Sequence, residues 1–209
     1  MTNELLTEEV KKHREANYDI SPLLLNRWSP RSMTGEILSD EELFPLFEAA
    51  RWAPSSFNGQ LWRFIIGRRQ HAEQFQKFVG LLAPGNQAWA KDAAVLVVVA
   101  SRKKFEYNDK PSITHAFDAG AAWENLAIEA SRRGLVAHGM EGFNYQRAQT
   151  ELNIPDDFEV HAMLAIGRRG SADNLPDALR EREHPNTRRP LREIVFEGAF
   201  GQSVAELPG

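Results

Sequence analysis

The chain has 209 residues, 42% hydrophobic and 26% charged, with a net charge of −4 and no cysteine. These numbers fit one large soluble domain, rule out disulfides, thiol nucleophiles and cysteine–zinc sites, and give no general attraction to nucleic acid or anionic membranes. The longest unbroken apolar run, 93–100, is far short of the roughly 20 residues that span a bilayer, and a start containing Glu4, Glu8, Glu9, Lys11 and Lys12 is too charged for a secretory signal, which together fit a cytoplasmic location.

Residues 4–17 predict a polar helix with a thin apolar stripe of Leu5, Leu6 and Val10, so residues 1–20 read as a peripheral element packed at an edge or on another subunit. Residues 23–33, LeuLeuLeuAsnArgTrpSerProArgSerMet, bring Arg27, Ser29 and Arg31 at alternate positions. Two guanidiniums and a hydroxyl make either an anion-binding set or an exposed basic loop. Ser39 followed by Glu42 reads as a capping box. It opens a helix through Leu43, Phe44, Phe47, Ala50 and Trp52, whose start Pro45 should tighten or bend. The chain breaks at Pro54, crosses Ser55, Ser56, Asn58 and Gln60, and re-enters an apolar strand at Phe64–Gly67. Polar groups between core elements need partners, since one left buried and unpaired costs about 1–3 kcal/mol. A bound polar heterocycle would satisfy them together; a solvated helix-to-strand turn would also account for these residue types.

Further on, residues 71–81 predict an amphipathic helix with Phe75, Phe78, Val79 and Leu82 inward, and 83–89 a turn. The apolar run 93–100 reads as a strand buried on both faces, and 101–112 as a loop or mobile cover. A helix is expected over 113–133, with small residues at 119–122 that allow close approach and Gly134 as its stop; its role reads as core. Residues 135–144 form a strand-to-turn passage, 145–152 a short helix and 160–167 a strand, while 168–184 show no core pattern. Arg188 and Arg189 by themselves read as a solvated basic loop, and 193–196 as a C-terminal strand. Six histidines at 13, 71, 115, 138, 161 and 184 show no metal-ligand spacing, so no metal is expected. The absence of a GlyxGlyxxGly element argues against a Rossmann dehydrogenase.

Four elements, at 27–31, 54–60, 141–142 and 188–190, resemble in order and spacing those of the nitroreductase family, the FMN-dependent NAD(P)H oxidoreductases. ProSerSerPheAsnGlyGlnLeuTrp resembles that family's flavin-contacting loop, ArgTrpSerProArg its FMN-binding Arg-x-Ser-x-Arg/Lys element, and ThrArgArgProLeuArgGlu its C-terminal basic segment. The resemblance implies that Arg27 and Arg188 reach the FMN phosphate with Arg189 near, and that Trp28 and Ser29 line the ribityl side. Pro54, Ser55, Ser56, Asn58 and Gln60 would contact the flavin. Glu141 and Gly142 would supply the segment facing N5, Gly142 letting the main chain approach the ring without a Cβ in the way. Arg31 beside N1/O2 and the Gly142 N–H would then be the groups nearest a catalytic role. The chain departs from the family pattern at Trp28, Leu61 (usually proline), Trp123, Glu124 and Asn186 (usually lysine).

The implied fold is α+β: a three-layer α/β/α domain over 1–209 with a central mixed, mostly antiparallel sheet. It would form an intertwined homodimer with FMN at the interface and residues 190–209 extended onto the partner. The implied reaction is ping-pong transfer from NAD(P)H through flavin N5 to a nitroaromatic, quinone or similar acceptor. Related possibilities are reductive dehalogenation, flavin fragmentation, or flavin binding without catalysis.

Overall fold

The computed structural model describes residues 5–205 and Leu207. Glu4, where the first helix was expected to begin, and Glu206, Pro208 and Gly209 of the expected C-terminal extension lie outside the described residues. Where composition marks no boundary, the chain gathers into two compact units: Ser29–Glu183, and the segments up to Trp28 and from His184 onward.

The larger unit is built on a four-stranded sheet in the order β1 (Trp62–Arg68), β2 (Val95–Arg102), β4 (Phe158–Arg168), β3 (Leu135–Met140). Every pairing is antiparallel, so the mixed sheet expected from the resemblance narrows here to an antiparallel one. β2 lies inside the sheet because it is mostly apolar and valine-rich and can be covered on both faces. Its side chains alternate between two cores. Leu96, Val98 and Ala100 face Phe75, Phe78 and Leu81 of α4 (Ala72–Leu81) and Trp89 of α5 (Pro84–Ala90). Val95, Val97 and Val99 face Leu43, Leu46 and Ala50 of α3 (Asp40–Arg51), together with Ala119, Ala122, Leu126 and Ala130 of α6 (His115–Arg132). Helices on both faces make the three layers. Gly67 permits the approach of α4, since a Cβ there would come within 2.5 Å of the Phe78 ring.

The capping box forms, with the Ser39 N–H donating to Glu42 Oε2 at 3.0 Å, and α6 stops before Gly134 at φ 71°. Residues 83–89 differ from expectation. They form most of helix α5, because Pro84 at its first position has a suitable φ and needs no intrahelical donor, and because Trp89 and Ala90 are buried. The cover at 101–112 begins as the end of β2, then closes on itself, with Phe105 buried and the Phe105 N–H donating to Lys110 O at 2.9 Å. The tract 168–184, lacking a core pattern, nonetheless buries Leu175 and Glu183 and forms the single-turn α8 (Asp177–Arg180). α7 (Tyr145–Glu151) agrees with expectation.

In the smaller unit the helix expected over 4–17 shrinks to one turn, α1 (Glu8–Lys11), because only Leu6 and Val10 find a buried position. α2 (Pro22–Asn26) follows, tied to the N-terminal segment by Thr7 N–H donating to Asn26 Oδ1 at 3.0 Å. The strand expected at 193–196 is absent among the described residues. Leu191–Glu193 is a 3-10 turn after Pro190, and the Val195 N–H donates back to Leu191 O at 2.8 Å, which consumes groups a strand would direct outward.

Candidate functional site

The polar loop after α3 is held in an unusual backbone. Phe57, Asn58 and Gln60 have φ of 50°, 53° and 49°, the left-handed region that costs a non-glycine residue about 1–3 kcal/mol unless its surroundings fix it. They do. Ser55 Oγ accepts the Gln60 N–H at 3.1 Å, and Gln60 Nε2 donates to Asn58 O and Oδ1, both at 3.1 Å. Asp118, buried in the first turn of α6, accepts the Ser56 N–H at 3.0 Å. Gly59 fits against Phe105, whose ring carbons a Cβ would approach to 3.3 Å. Pro54, Asn58 and Gln60 are exposed, Ser55 and Ser56 half-buried.

The second element is Ser29–Thr34. The Glu183 side chain, wholly buried, accepts from the Arg31 N–H at 2.8 Å, the Ser32 N–H at 2.8 Å and Ser32 Oγ at 2.9 Å, and pairs with Arg169 at 3.0 Å. From the strand side, His138 Nδ1 lies 2.9 Å from Pro30 O, an acceptor only, so this nitrogen carries the proton. Burial holds His138 below the usual imidazole value, opposed by the Pro30 hydrogen bond and reinforced by Arg31. It is therefore a neutral clamp. Burial also pulls the half-buried Arg31 guanidinium below its ordinary value, against Glu183 and with Arg182. Its main chain is fixed, while the guanidinium donates to no group among the described residues.

Gly142 follows β3. Its carbonyl accepts from the Ala83 N–H at 2.9 Å and from Asn86 Nδ2 at 3.0 Å. Its N–H has no acceptor among the described residues. The space a Cβ would fill is taken by Asn86 Nδ2, 2.8 Å away. A side chain at Gly142 would therefore displace the Asn86 amide, which bonds the Gly142 carbonyl. Glu141 is exposed.

The remaining site residues belong to the smaller unit. Arg27 and Trp28 are half-buried, Arg188 and Arg189 exposed. Arg188 Nη1 donates to Thr187 O at 3.0 Å, whereas Arg189 is engaged with Glu193 at 3.4 Å. Arg14, absent from every motif, is drawn down to about 10 by burial, then by Arg188, then by Arg27. Arg188 and Arg27 thus both repel the Arg14 charge.

Sequence reading missed Asp118, His138, Glu183 and Arg14. Only Asp118 carried a signal: it stands four residues before Ala122 and eight before Leu126, on an otherwise apolar stripe. Elsewhere in the larger unit, Ser101 Oγ lies 2.8 Å from His115 Nδ1 and 2.6 Å from His161 Nε2. Ser101 is fully buried, which keeps it from acting as a nucleophile on a solvent-borne substrate.

The larger unit is an α+β domain whose candidate site residues are hydrogen-bond donors rather than an acid–base pair. The Nitroreductase family profile matches residues 24–83 and 67–168. A Mycolicibacterium smegmatis protein, an uncharacterized 15.4 kDa protein in the ask 5' region, is 36% identical over 151 residues, covering 68% of this chain and 99% of its own. Protein DrgA of Synechocystis is 31% identical over 189 residues, covering 76% of this chain and 85% of its own. Among solved structures, one described as the oxidoreductase containing FMN superposes with TM-score 0.87 at 44% identity, over 95% of this chain and 100% of that one. The chain belongs to the nitroreductase family.

Proposed function

We propose that this chain is an FMN-dependent oxidoreductase that draws on NAD(P)H to reduce a small organic acceptor, such as a nitroaromatic or a quinone, and works as a homodimer. The observation that carries the reading is Arg31: a half-buried guanidinium on a main chain clamped by Glu183 and His138, donating to nothing among the described residues. A cation carried on a fixed main chain suits a group whose reduction builds negative charge. The residues fit FMN in kind, since Arg31, the Gly142 N–H and the Ser, Asn and Gln side chains of 55–60 offer donors, and Arg27 and Arg188 offer cations for a phosphate. Two relatives support the cofactor and donor: a provisionally named nitroreductase from Desulfovibrio desulfuricans described in complex with FMN, 26% identical with TM-score 0.67 over 87% of this chain, and an Archaeoglobus fulgidus protein provisionally named NADH dehydrogenase/NAD(P)H nitroreductase, 27% identical over 149 residues.

When bound, FMN would supply hydride chemistry at N5, taking electrons from NAD(P)H and passing them to the acceptor. The protein's part is to hold and polarise. Arg27 and Arg188 would hold the phosphate; Arg31 would offer a cation where charge develops; the Gly142 N–H would face the N5 edge; Trp28, Ser29, Glu141, Arg189 and the loop Pro54–Gln60 would line the cofactor. Dimerisation is supported at α6, where Ile113 just before the helix and Phe117 in its first turn are 95% and 81% exposed and Gly120 faces open space. Anaerobic titration of the flavin-loaded protein with NADH and NADPH tests the reading. Loss of the oxidised flavin absorbance, restored by a quinone, is expected; no loss with either donor would leave a flavin-binding protein without this activity.

A further inference from the structure

Arg14 follows α1 and lies far in sequence from the basic segment at 186–189. Its Nε donates to Asn186 O at 2.9 Å, and its Nη1 to Leu25 O at 2.6 Å and Arg27 O at 2.8 Å. One planar fork thus joins the end of α2, the main chain of Arg27 and the turn that carries Arg188. A fixed fork can hold such widely separated carbonyls in one geometry, which a flexible ammonium cannot. All three acceptors are neutral carbonyls. No carboxylate pairs with Arg14 among the described residues, and its charge faces Arg188 and Arg27. Asn186, an uncharged side chain at a position where the resemblance expects lysine, contributes its main-chain oxygen to this arrangement instead.

We propose that Arg14 is a positioning residue for the phosphate-binding cations, joining the Arg27 and Asn186 main chains so that the Arg27 and Arg188 guanidiniums are held for one phosphate. This rests on the FMN reading above, and it adds a residue that none of the four family-like motifs contains.

The test is the affinity of Arg14→Ala, Arg14→Lys and Arg192→Ala apoproteins for FMN and for riboflavin, which lacks the phosphate. Arg192 is an exposed arginine on the 3-10 turn and controls for net charge. Loss of charge-assisted hydrogen bonds predicts that Arg14→Ala weakens FMN roughly tenfold or more, with riboflavin affinity changed by less than about twofold. Arg14→Lys should keep most of that loss, because the charge remains but the fork does not, and Arg192→Ala should bind both flavins as the parent does. If Arg14→Ala cannot be obtained folded, the FMN-to-riboflavin ratio of Arg14→Lys decides alone. Equal weakening for both flavins, unchanged FMN affinity, or full rescue by Arg14→Lys would overturn the proposal. A parent protein that binds FMN no better than riboflavin would overturn the phosphate reading beneath it. A preference for FMN that survives Arg14→Ala would overturn only the role of Arg14.

Discussion

Arg31 and His138 act through how they are held. Glu183 and His138 fix the main chain on both sides of Arg31, so the point from which its cation extends is set before any charge develops. At an effective dielectric near 20, a unit charge pair ~4 Å apart interacts by about 4 kcal/mol, which solvent at a half-buried site reduces. Arg31→Ala should therefore lower the flavin midpoint potential and slow reduction by nicotinamide. FMN affinity should fall less than in Arg188→Ala, since phosphate is charged in both redox states. Paired redox titrations and dissociation constants decide this; an unchanged potential would detach Arg31 from the ring. His138 makes a pH prediction. Its folded value lies below the ordinary imidazole value of about 6.5, so as pH falls the unfolded chain takes up the proton first. Its contribution to stability is present above about pH 6.5 and is lost as pH drops through the folded value. His138→Asn, which keeps a donor for Pro30 O, should flatten the fall in Tm between about pH 7 and pH 5. An unchanged slope would assign that fall elsewhere, His161 being lowered as well, mainly by burial.

Among the elements, α6 and the loop at 54–60 form one device. The loop keeps three non-glycine residues left-handed, and α6 contributes the buried Asp118 that accepts the Ser56 N–H. Asp118→Ala leaves that N–H without its acceptor and should destabilise the fold by about 1–3 kcal/mol. Urea unfolding measures the loss, and the freed loop should show more amide exchange at 55–60 than the parent. Equal exchange would mean that the loop's internal bonds suffice. The long periodic elements were legible: β2, α4 and α6 have unambiguous hydrophobic patterns and appear where those patterns put them. Of the short elements, α7 was legible and others were not. Ala83-Pro84-Gly85 has turn chemistry, yet burial of Trp89 carries the segment into a helix. Residues 4–17 have helical composition, yet with two buried side chains only one turn persists. The site motifs were legible as local strings. Their supports were not, because Glu183 lies 152 residues from Arg31 and Arg14 lies 172 from Asn186, and only tertiary structure relates such positions.

At the scale of the whole molecule, the sheet leaves β1 at one edge, and Ile113 just before α6 and Phe117 in its first turn are uncovered. A second copy of the chain would bury these groups, as the proposed homodimer requires. Phe117→Glu should shift the protein from dimer toward monomer in sedimentation equilibrium and weaken FMN binding with it; a parent that is monomeric at micromolar concentration, or a variant that stays dimeric, would remove α6 from the interface. The central claim concerns the cofactor, and one measurement addresses it most directly: denature the purified protein, then identify and quantify the flavin released. FMN at about one molecule per chain is expected. FAD, riboflavin, or no flavin even after incubation with excess FMN would contradict it.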